Sequence, residues 1–391
     1  MAKPIAGHIN NRSKHRSLKF RIVLLAVVNL CVFCAFLVCI ELAGYILYVF
    51  SGELHVLHKA AHAYYMEHER NVVQYRPECS QYDPGTSYRL KQGGCEFYNR
   101  EFQINVLGNS IGTRDNEEDI TRARVIGLGD SYAFGWGVDQ DQAFYTLLEN
   151  ELGEKVLNTG VASYGTVREM RMLDRVFRSD VTDIVIQYTD NDFRENRQYF
   201  KQGNKLSIMR EVDYNTVVLR EVNLSRAYFP GRYTRMFLVP YFQSLLTKKA
   251  KLPSLKFRHR QALAKAKAFF NALRNATTSD LSRVRVTIFE INGHNLNSEN
   301  AFFLRALQKL IRKNAQQPGL ANSYLLVDVT SSLRDDDFYW YDEHLKASGH
   351  KKVALVLGRA IKEARNSSVI EKVKLIKYDG AILNTAEQGK H

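Results

Sequence analysis

From Ile22 to Phe50 the chain reads IVLLAVVNLCVFCAFLVCIELAGYILYVF, interrupted only by Asn29 and Glu41. Roughly 20 apolar residues cross a bilayer core, so this pattern predicts a transmembrane helix over 22–49. A signal-peptide core would be shorter and would end at a small-x-small site, and none stands here. A lipoprotein signal is excluded because Leu42-Ala43-Gly44 is followed by Tyr45 and not by cysteine.

Beyond that run the pattern changes period. Residues 51–85 read as a stalk, helical at first and then irregular. Residues 86–113 alternate, as in Phe102-Gln103-Ile104-Asn105-Val106, and predict a short β-hairpin. Short apolar runs then alternate with helical periodicity. Strands are expected at Val125–Leu128, Lys155–Leu157, Asp183–Tyr188, Val284–Ile291 and Tyr324–Val329. Helices are expected at Ala143–Leu152, Thr166–Phe177, Glu299–Lys313 and Ala347–Glu363. Such alternation implies an α/β class with a parallel sheet covered on both faces. The organisation is therefore a tail (1–21), a span (22–49), a stalk with a hairpin (50–123) and an α/β domain (124–365). Residues 194–282 interrupt that domain as an insertion, and 366–391 form a weakly patterned tail.

Composition changes this picture little. Of 391 residues, 45% are hydrophobic and 25% charged, which excludes a disordered chain and a polytopic transporter. Charge changes it more. The net charge is +14, and Lys3, Arg12, Lys14, Arg16, Lys19 and Arg21 lie in a tail without acids, leaving +8 for the rest. Basic residues flank the cytoplasmic side of a span. The N-terminus is thus expected in the cytoplasm and the α/β domain outside it, on the plasma (inner) membrane as a single-pass protein. The insertion carries Lys248, Lys249, Lys251, Lys256, Arg258, Arg260, Lys265, Lys267 and Arg274 with no acid between them. That run fits a solvated helix face or a surface for anionic head groups or glycans. The expected side of the membrane argues against nucleic acid.

Candidate chemistry sits where the strands end, because open α/β sheets bind ligands there. After the first strand comes Gly127-Leu128-Gly129-Asp130-Ser131-Tyr132-Ala133. Tyr132 stands where a dinucleotide fingerprint needs glycine, and the P-loop lysine is missing. What remains is a serine on a tight turn into a helix. Such a turn can expose the hydroxyl beside helix N-terminal N–H groups, or simply cap the helix. The second strand leads into Asn158-Thr159-Gly160-Val161-Ala162-Ser163-Tyr164-Gly165. The third leads into Thr189-Asp190-Asn191-Asp192. Near the C-terminus stands Asp342-Glu343-His344, with His350 in the following helix as a packing or capping residue. A histidine can take a serine proton while a carboxylate orients it. No zinc-ribbon cysteine pattern is present, so neither metal nor cofactor is expected.

In this order the blocks resemble the SGNH hydrolases, the GDSL esterase/lipase superfamily, in its bacterial membrane-anchored type. The resemblance covers roughly residues 124–365 and the preceding hairpin. It implies a flavodoxin-like three-layer α/β/α sandwich, with Ser131 as nucleophile, His344 as base and Asp342 as acid. It implies an oxyanion hole from the Ser131 and Ser163 N–H groups and the Asn191 amide. Three departures stand out. Ser163 replaces the oxyanion glycine, Thr189 replaces the third-block glycine, and Asp342 precedes the histidine by two positions and not three. An α/β-hydrolase elbow would need glycine where Ala133 sits.

These features imply a membrane-anchored serine esterase or O-acyltransferase, with acyl groups of envelope polysaccharide as the expected substrate. A lipid esterase stays open because Phe338-Tyr339-Trp340-Tyr341 beside His344 would suit an acyl chain. A catalytically silent glycan-binding protein stays open because of Ser163 and Thr189. The oligomeric state is not legible. Of five cysteines, Cys31, Cys34 and Cys39 lie in the span, and Cys79 and Cys95 lie beyond it. On the oxidising side of a membrane, one bridge between those two is the simple expectation.

Overall fold

Strands β5 (Val125–Leu128), β6 (Val156–Asn158) and β7 (Asp183–Tyr188) are buried along their whole length. Side chains alternate across a strand, so such strands need a cover on both faces. A computed structural model of the chain describes residues 9–50, 58–224, 228–246, 254–293, 301–317, 319–367 and 371–378. It divides into two compact units: Met1–Tyr64 with Ala227–Ala250, and Tyr65–Arg226 with Lys251–His391.

The first unit holds α1 (Ile9–Val49), the start of α2 (His58–His68) and, from the insertion, α9 (Arg232–Leu246). The apolar part of α1, Leu18–Val49, has 32 residues, about 48 Å of helix. Its side chains pack on little of the protein. Leu24, Val28, Phe36 and Leu42 are all about half exposed or more.

The second unit begins with two antiparallel hairpins where the residue pattern predicts one. They are β1–β2 (Ser80–Asp83, Ser87–Leu90) and β3–β4 (Gly93–Tyr98, Gln103–Gly108). The expected bridge between Cys79 and Cys95 is formed, with Cα atoms 5.4 Å apart, and it ties the start of the first hairpin to β3.

After the short helix α3 (Asp119–Arg122) comes a parallel sheet of six strands. Its remaining strands are β8 (Arg285–Glu290), β9 (Ser323–Asp328) and β10 (Val373–Lys377). The order is β10-β9-β8-β7-β5-β6. One face, with Ile126, Leu157, Ile184 and Ile186, packs on α6 (Thr166–Val176), α10 (Leu255–Asn275) and α11 (Phe302–Lys313). The other, with Val125, Val156, Val185 and Val327, packs on α5 (Phe144–Leu152) and α12 (Ala347–Asn366). This is the expected three-layer α/β/α sandwich. Strand β10 lies in the segment read as a weakly patterned tail. Its Lys374 and Lys377 face water at the sheet edge, which masks the apolar signal of Val373 and Ile376. The expected helix start at Glu299 lies outside the described residues.

The insertion supplies α7 (Asp192–Lys201), α8 (Glu211–Leu224), α9 and α10. The basic run within α10 is amphipathic. Ala266, Phe269 and Leu273 join the core, while Lys265 pairs with Asp190 at 2.5 Å. The sheet order turns at β5, whose two neighbours are β6 and β7. That switch point is where a crevice opens beyond the strand ends.

Candidate active site

Ser131 opens the one-turn helix α4 (Ser131–Phe134) immediately after β5. Two glycines make this turn. Gly129 has φ of +151°, and a Cβ there would lie 2.6 Å from Ala133. A Cβ on Gly160 would meet the backbone of Ala133 and Phe134 at 2.6–2.7 Å, so the second block presses on the helix that carries the serine. Asn158 holds that approach by donating to the Ala133 carbonyl (2.8 Å) and accepting from Gly160 N–H (2.9 Å).

His344 Nε2 lies 2.8 Å from Ser131 Oγ, across 213 positions of the chain. Its Nδ1 lies 2.5 Å from Asp342 Oδ1. All three side chains are buried. The two-residue spacing works because Glu343 between them takes a left-handed conformation, φ 59°. The loop is pinned at several points. Tyr339 N–H donates to the His344 carbonyl. The Glu101 carboxylate accepts the N–H groups of Trp340, Tyr341 and Asp342. Tyr132 donates its hydroxyl to the Glu343 carbonyl at 3.0 Å.

The imidazole lies between two rings. Tyr132 is 4.8 Å away by centroids and Trp136 is stacked at 5.2 Å. The Arg70 guanidinium lies 4.7 Å above the indole and its Nε is 3.5 Å from Asp342 Oδ2. Tyr65 donates to the same oxygen at 2.5 Å. Burial alone would raise the Asp342 carboxyl. The charge and hydrogen bond of His344, the Arg70 charge and the Tyr65 hydroxyl outweigh it and hold the group well below the usual carboxylate range.

Asp130 is not a spare base. It is buried, accepts from Tyr132 N–H (3.1 Å) and from the Asn191 amide (2.9 Å), and so ties the third block to the first. Burial pushes its carboxyl up, and the Asn191 and Tyr132 hydrogen bonds and the His344 charge offset this only in part.

Ser163 has φ of 62°, a conformation that costs a non-glycine residue about 1–2 kcal/mol. Its hydroxyl accepts from Gln74 Nε2 at 3.0 Å, and its carbonyl accepts from Arg168 at 2.7 Å. Ser163 and Asn191 open onto a cleft of about 700 Å3 whose walls include Tyr75, Tyr88, Tyr164 and Phe193. Among the described residues, neither the Ser131 nor the Ser163 N–H donates a hydrogen bond. His350 is not part of this array. It is buried, accepts the Phe144 N–H that starts α5 (3.1 Å), and burial lowers its imidazole to about 3.

The structure thus brings Ser131, His344 and Asp342 into contact and sets Ser163 and Asn191 on one cleft. Tyr65, Arg70, Gln74, Glu101 and Trp136 were not singled out by sequence reasoning. Among the described residues no cluster of His, Cys, Asp and Glu could hold a metal ion.

No protein-family model and no curated protein matches the chain. Solved structures similar to it include a lipolytic protein of the G-D-S-L family from Desulfitobacterium hafniense DCB-2. It is 11% identical with a TM-score of 0.30, over 60% of this chain and 98% of that one. A second is the lipase Lip_vut3 from a goat rumen metagenome, 14% identical with a TM-score of 0.31, over 60% and 96%. A third is the acetyl xylan esterase Est2A of Butyrivibrio proteoclasticus, 11% identical with a TM-score of 0.32, over 62% and 64%. In strand order, in its four strand-end blocks and in its Ser131–His344–Asp342 contact, the chain resembles the SGNH, or GDSL, hydrolases.

Proposed function

We propose that this protein is a serine esterase or O-acyltransferase that works through an acyl-serine on Ser131. The observation that carries the reading is the continuous line of contacts from Ser131 Oγ through both nitrogens of His344 to Asp342, 2.8 and 2.5 Å long. His344 Nε2 takes the hydroxyl proton as Oγ attacks the ester carbonyl. The Ser131 and Ser163 N–H groups and the Asn191 amide receive the charge that develops on the carbonyl oxygen. Collapse breaks the ester C–O bond, and the imidazolium returns its proton to the departing alkoxide. Water or a sugar hydroxyl then attacks the acyl-serine, with His344 again as base, to release acid or a new ester.

We further infer that α1 anchors the protein in the plasma membrane, with the N-terminus cytoplasmic and the catalytic unit outside. The basic tail supports that orientation. Acylated envelope polysaccharide is the substrate class we favour. Its support is a polar cleft with tyrosine walls beside Ser163 and Asn191. The lipid-esterase reading is the less favoured one, because two of the four aromatics before His344 are used internally. Phe338 is buried, Tyr339 packs on Phe102 at 5.3 Å and donates to the Gly137 carbonyl. A silent binding protein would not need the buried base–acid pair.

The test is hydrolysis of a chromogenic acetyl ester by the full-length protein in liposomes, with and without an acetylated glycan and an acceptor glycan. Ser131→Ala should lower turnover by roughly 10³-fold or more and abolish labelling by a serine-reactive phosphonate. Unchanged turnover in that variant ends the enzyme reading. Acyl transfer in preference to hydrolysis selects the acyltransferase.

A further inference from the structure

Helix α9 has a composition that an aqueous surface does not explain. From Met236 to Phe242 it reads Met-Phe-Leu-Val-Pro-Tyr-Phe, seven positions without a charge. Two helical turns of such residues are apolar around the whole circumference. A helix apolar all round is either buried or in lipid. Here Met236 is buried, but Leu238 is 46% exposed, Val239 40% and Phe242 55%.

Its N-terminus is bound to α1 by an acid in the apolar span. The Glu41 carboxylate accepts Tyr233 N–H at 3.0 Å, Thr234 N–H at 3.0 Å and the Thr234 hydroxyl at 2.7 Å. Those N–H groups belong to the first turn of α9, where a carboxylate satisfies unpaired donors and meets the positive end of the helix dipole. One turn further along α1, Gly44 lets Tyr233 approach. A Cβ at Gly44 would lie 3.1 Å from the Tyr233 side chain. Tyr45, Tyr48 and Tyr64 close around the Tyr233 ring at 5.1–5.9 Å.

The position of Glu41 along α1 fixes the depth. From Ile22 to Glu41 the helix rises about 29 Å, the thickness of a hydrocarbon core. The first turn of α9 is thereby held at the far boundary of that core. At 15 residues, about 22 Å, α9 is too short to cross a bilayer. Its exposed apolar side chains belong to the same compact unit as the exposed apolar side chains of α1. The sequence after α9 is Lys248-Lys249-Ala250-Lys251, suited to anionic head groups.

We propose that α9 is a second membrane contact: an interfacial helix that seats Leu238, Val239 and Phe242 in the outer acyl–headgroup boundary, positioned by Glu41. The partner is the lipid bilayer. This rests on α1 being a membrane anchor. It assigns part of the insertion to attachment and leaves α7, α8 and α10 to the catalytic unit.

The experiment uses the full chain in liposomes containing phosphatidylglycerol. Cys31, Cys34 and Cys39 are replaced by alanine, and single cysteines are installed by Leu238→Cys and Phe242→Cys. Reference labels sit at a retained Cys34 in α1 and at Lys374→Cys on β10. Each carries an environment-sensitive fluorophore, read with brominated lipid and with aqueous iodide. The expected result is quenching by brominated lipid at 238 and 242 that is severalfold above that at 374. Glu41→Ala should reduce it at both positions while leaving Cys34 quenched. Labels at 238 and 242 that match 374 in iodide, with Cys34 still quenched by lipid, overturn the inference and leave the anchor standing. Labels reached by neither quencher point to a protein partner and overturn it as well. Loss of lipid quenching at Cys34 removes the anchor and this inference with it.

Discussion

The Tyr65 hydroxyl donates to Asp342 Oδ2 at 2.5 Å, joining residues 277 positions apart. Tyr65 belongs to the helix that precedes the α/β sandwich, yet its bond completes the environment of the acid that orients His344. Burial and the Asp342 charge hold the phenol protonated, so toward the carboxylate it is the donor. Hydrogen bonds to a charged acceptor are worth about 1.5–3 kcal/mol. Tyr65→Phe should therefore lower kcat roughly tenfold with little change in KM. It should also move the acid limb of the kcat/KM profile to higher pH. The reason is that a carboxylate relieved of this donor becomes more basic and holds the imidazolium proton more firmly. A pH–rate series decides, and a loss of stability alone with an unmoved acid limb would show Tyr65 to be merely structural.

The Gln74–Ser163 bond predicts a coupled pair. Ser163 holds a left-handed conformation that glycine adopts freely, and Gln74 offsets that cost by bonding its hydroxyl. Gln74→Ala should lower kcat about tenfold when Ser163 is present. In a Ser163→Gly background the further loss should shrink to roughly twofold or less, since the proposed oxyanion donor is the backbone N–H and needs no latch. Equal losses in both backgrounds would mean that Gln74 acts elsewhere.

Four aspartates precede His344 within ten residues, and the structure separates them. Asp342→Asn should cost roughly 10²–10⁴ in kcat while the protein stays folded, because the amide favours the wrong imidazole tautomer. Asp337 instead pairs with Lys352 at 2.7 Å and accepts from Ser348 and Arg334 at 2.8 Å. Asp337→Asn should lower Tm and spare kcat. Asp335 and Asp336 are exposed, and their Asn variants should change neither. Thermal melts beside kinetics on all four variants make the comparison.

Glu290 ends β8 beside Asp190 and Asp328. Burial raises its carboxyl to about 8, assisted by repulsion from Asp190, while the Asn292 hydrogen bond and the Lys265 charge pull the other way. An ordinary glutamate titrates near ~4.3. Between those values the folded state holds a proton that the unfolded chain has lost, so stability falls as pH rises across the window. Glu290→Gln should flatten that slope and raise Tm most at the alkaline end. A Tm gain equal at every pH would contradict it.

Much of the architecture is local and therefore legible in the residues. Short strands with apolar centres, such as Val125–Leu128 and Ile184–Ile186 within Asp183–Tyr188, announce a doubly covered parallel sheet, because both faces of each strand must leave water. The turn at Gly129-Asp130-Ser131, the apolar run before Phe50 and the Cys79–Cys95 pair each carry their meaning within a short window. What the tertiary structure decided depends on groups distant in sequence. Tyr65, Arg70, Gln74 and Glu101 reach the loops that carry Ser163 and Asp342 from before the sheet begins. Nothing in their spacing signals it, because a side-chain hydrogen bond across 277 positions leaves no period. The Asp-Glu-His spacing reads as a departure until the left-handed Glu343 shows how two neighbours come to face one another. The same holds for Glu41. In the sequence it is a lone charge near the end of an apolar run, and only the folded chain supplies the helix end that it caps.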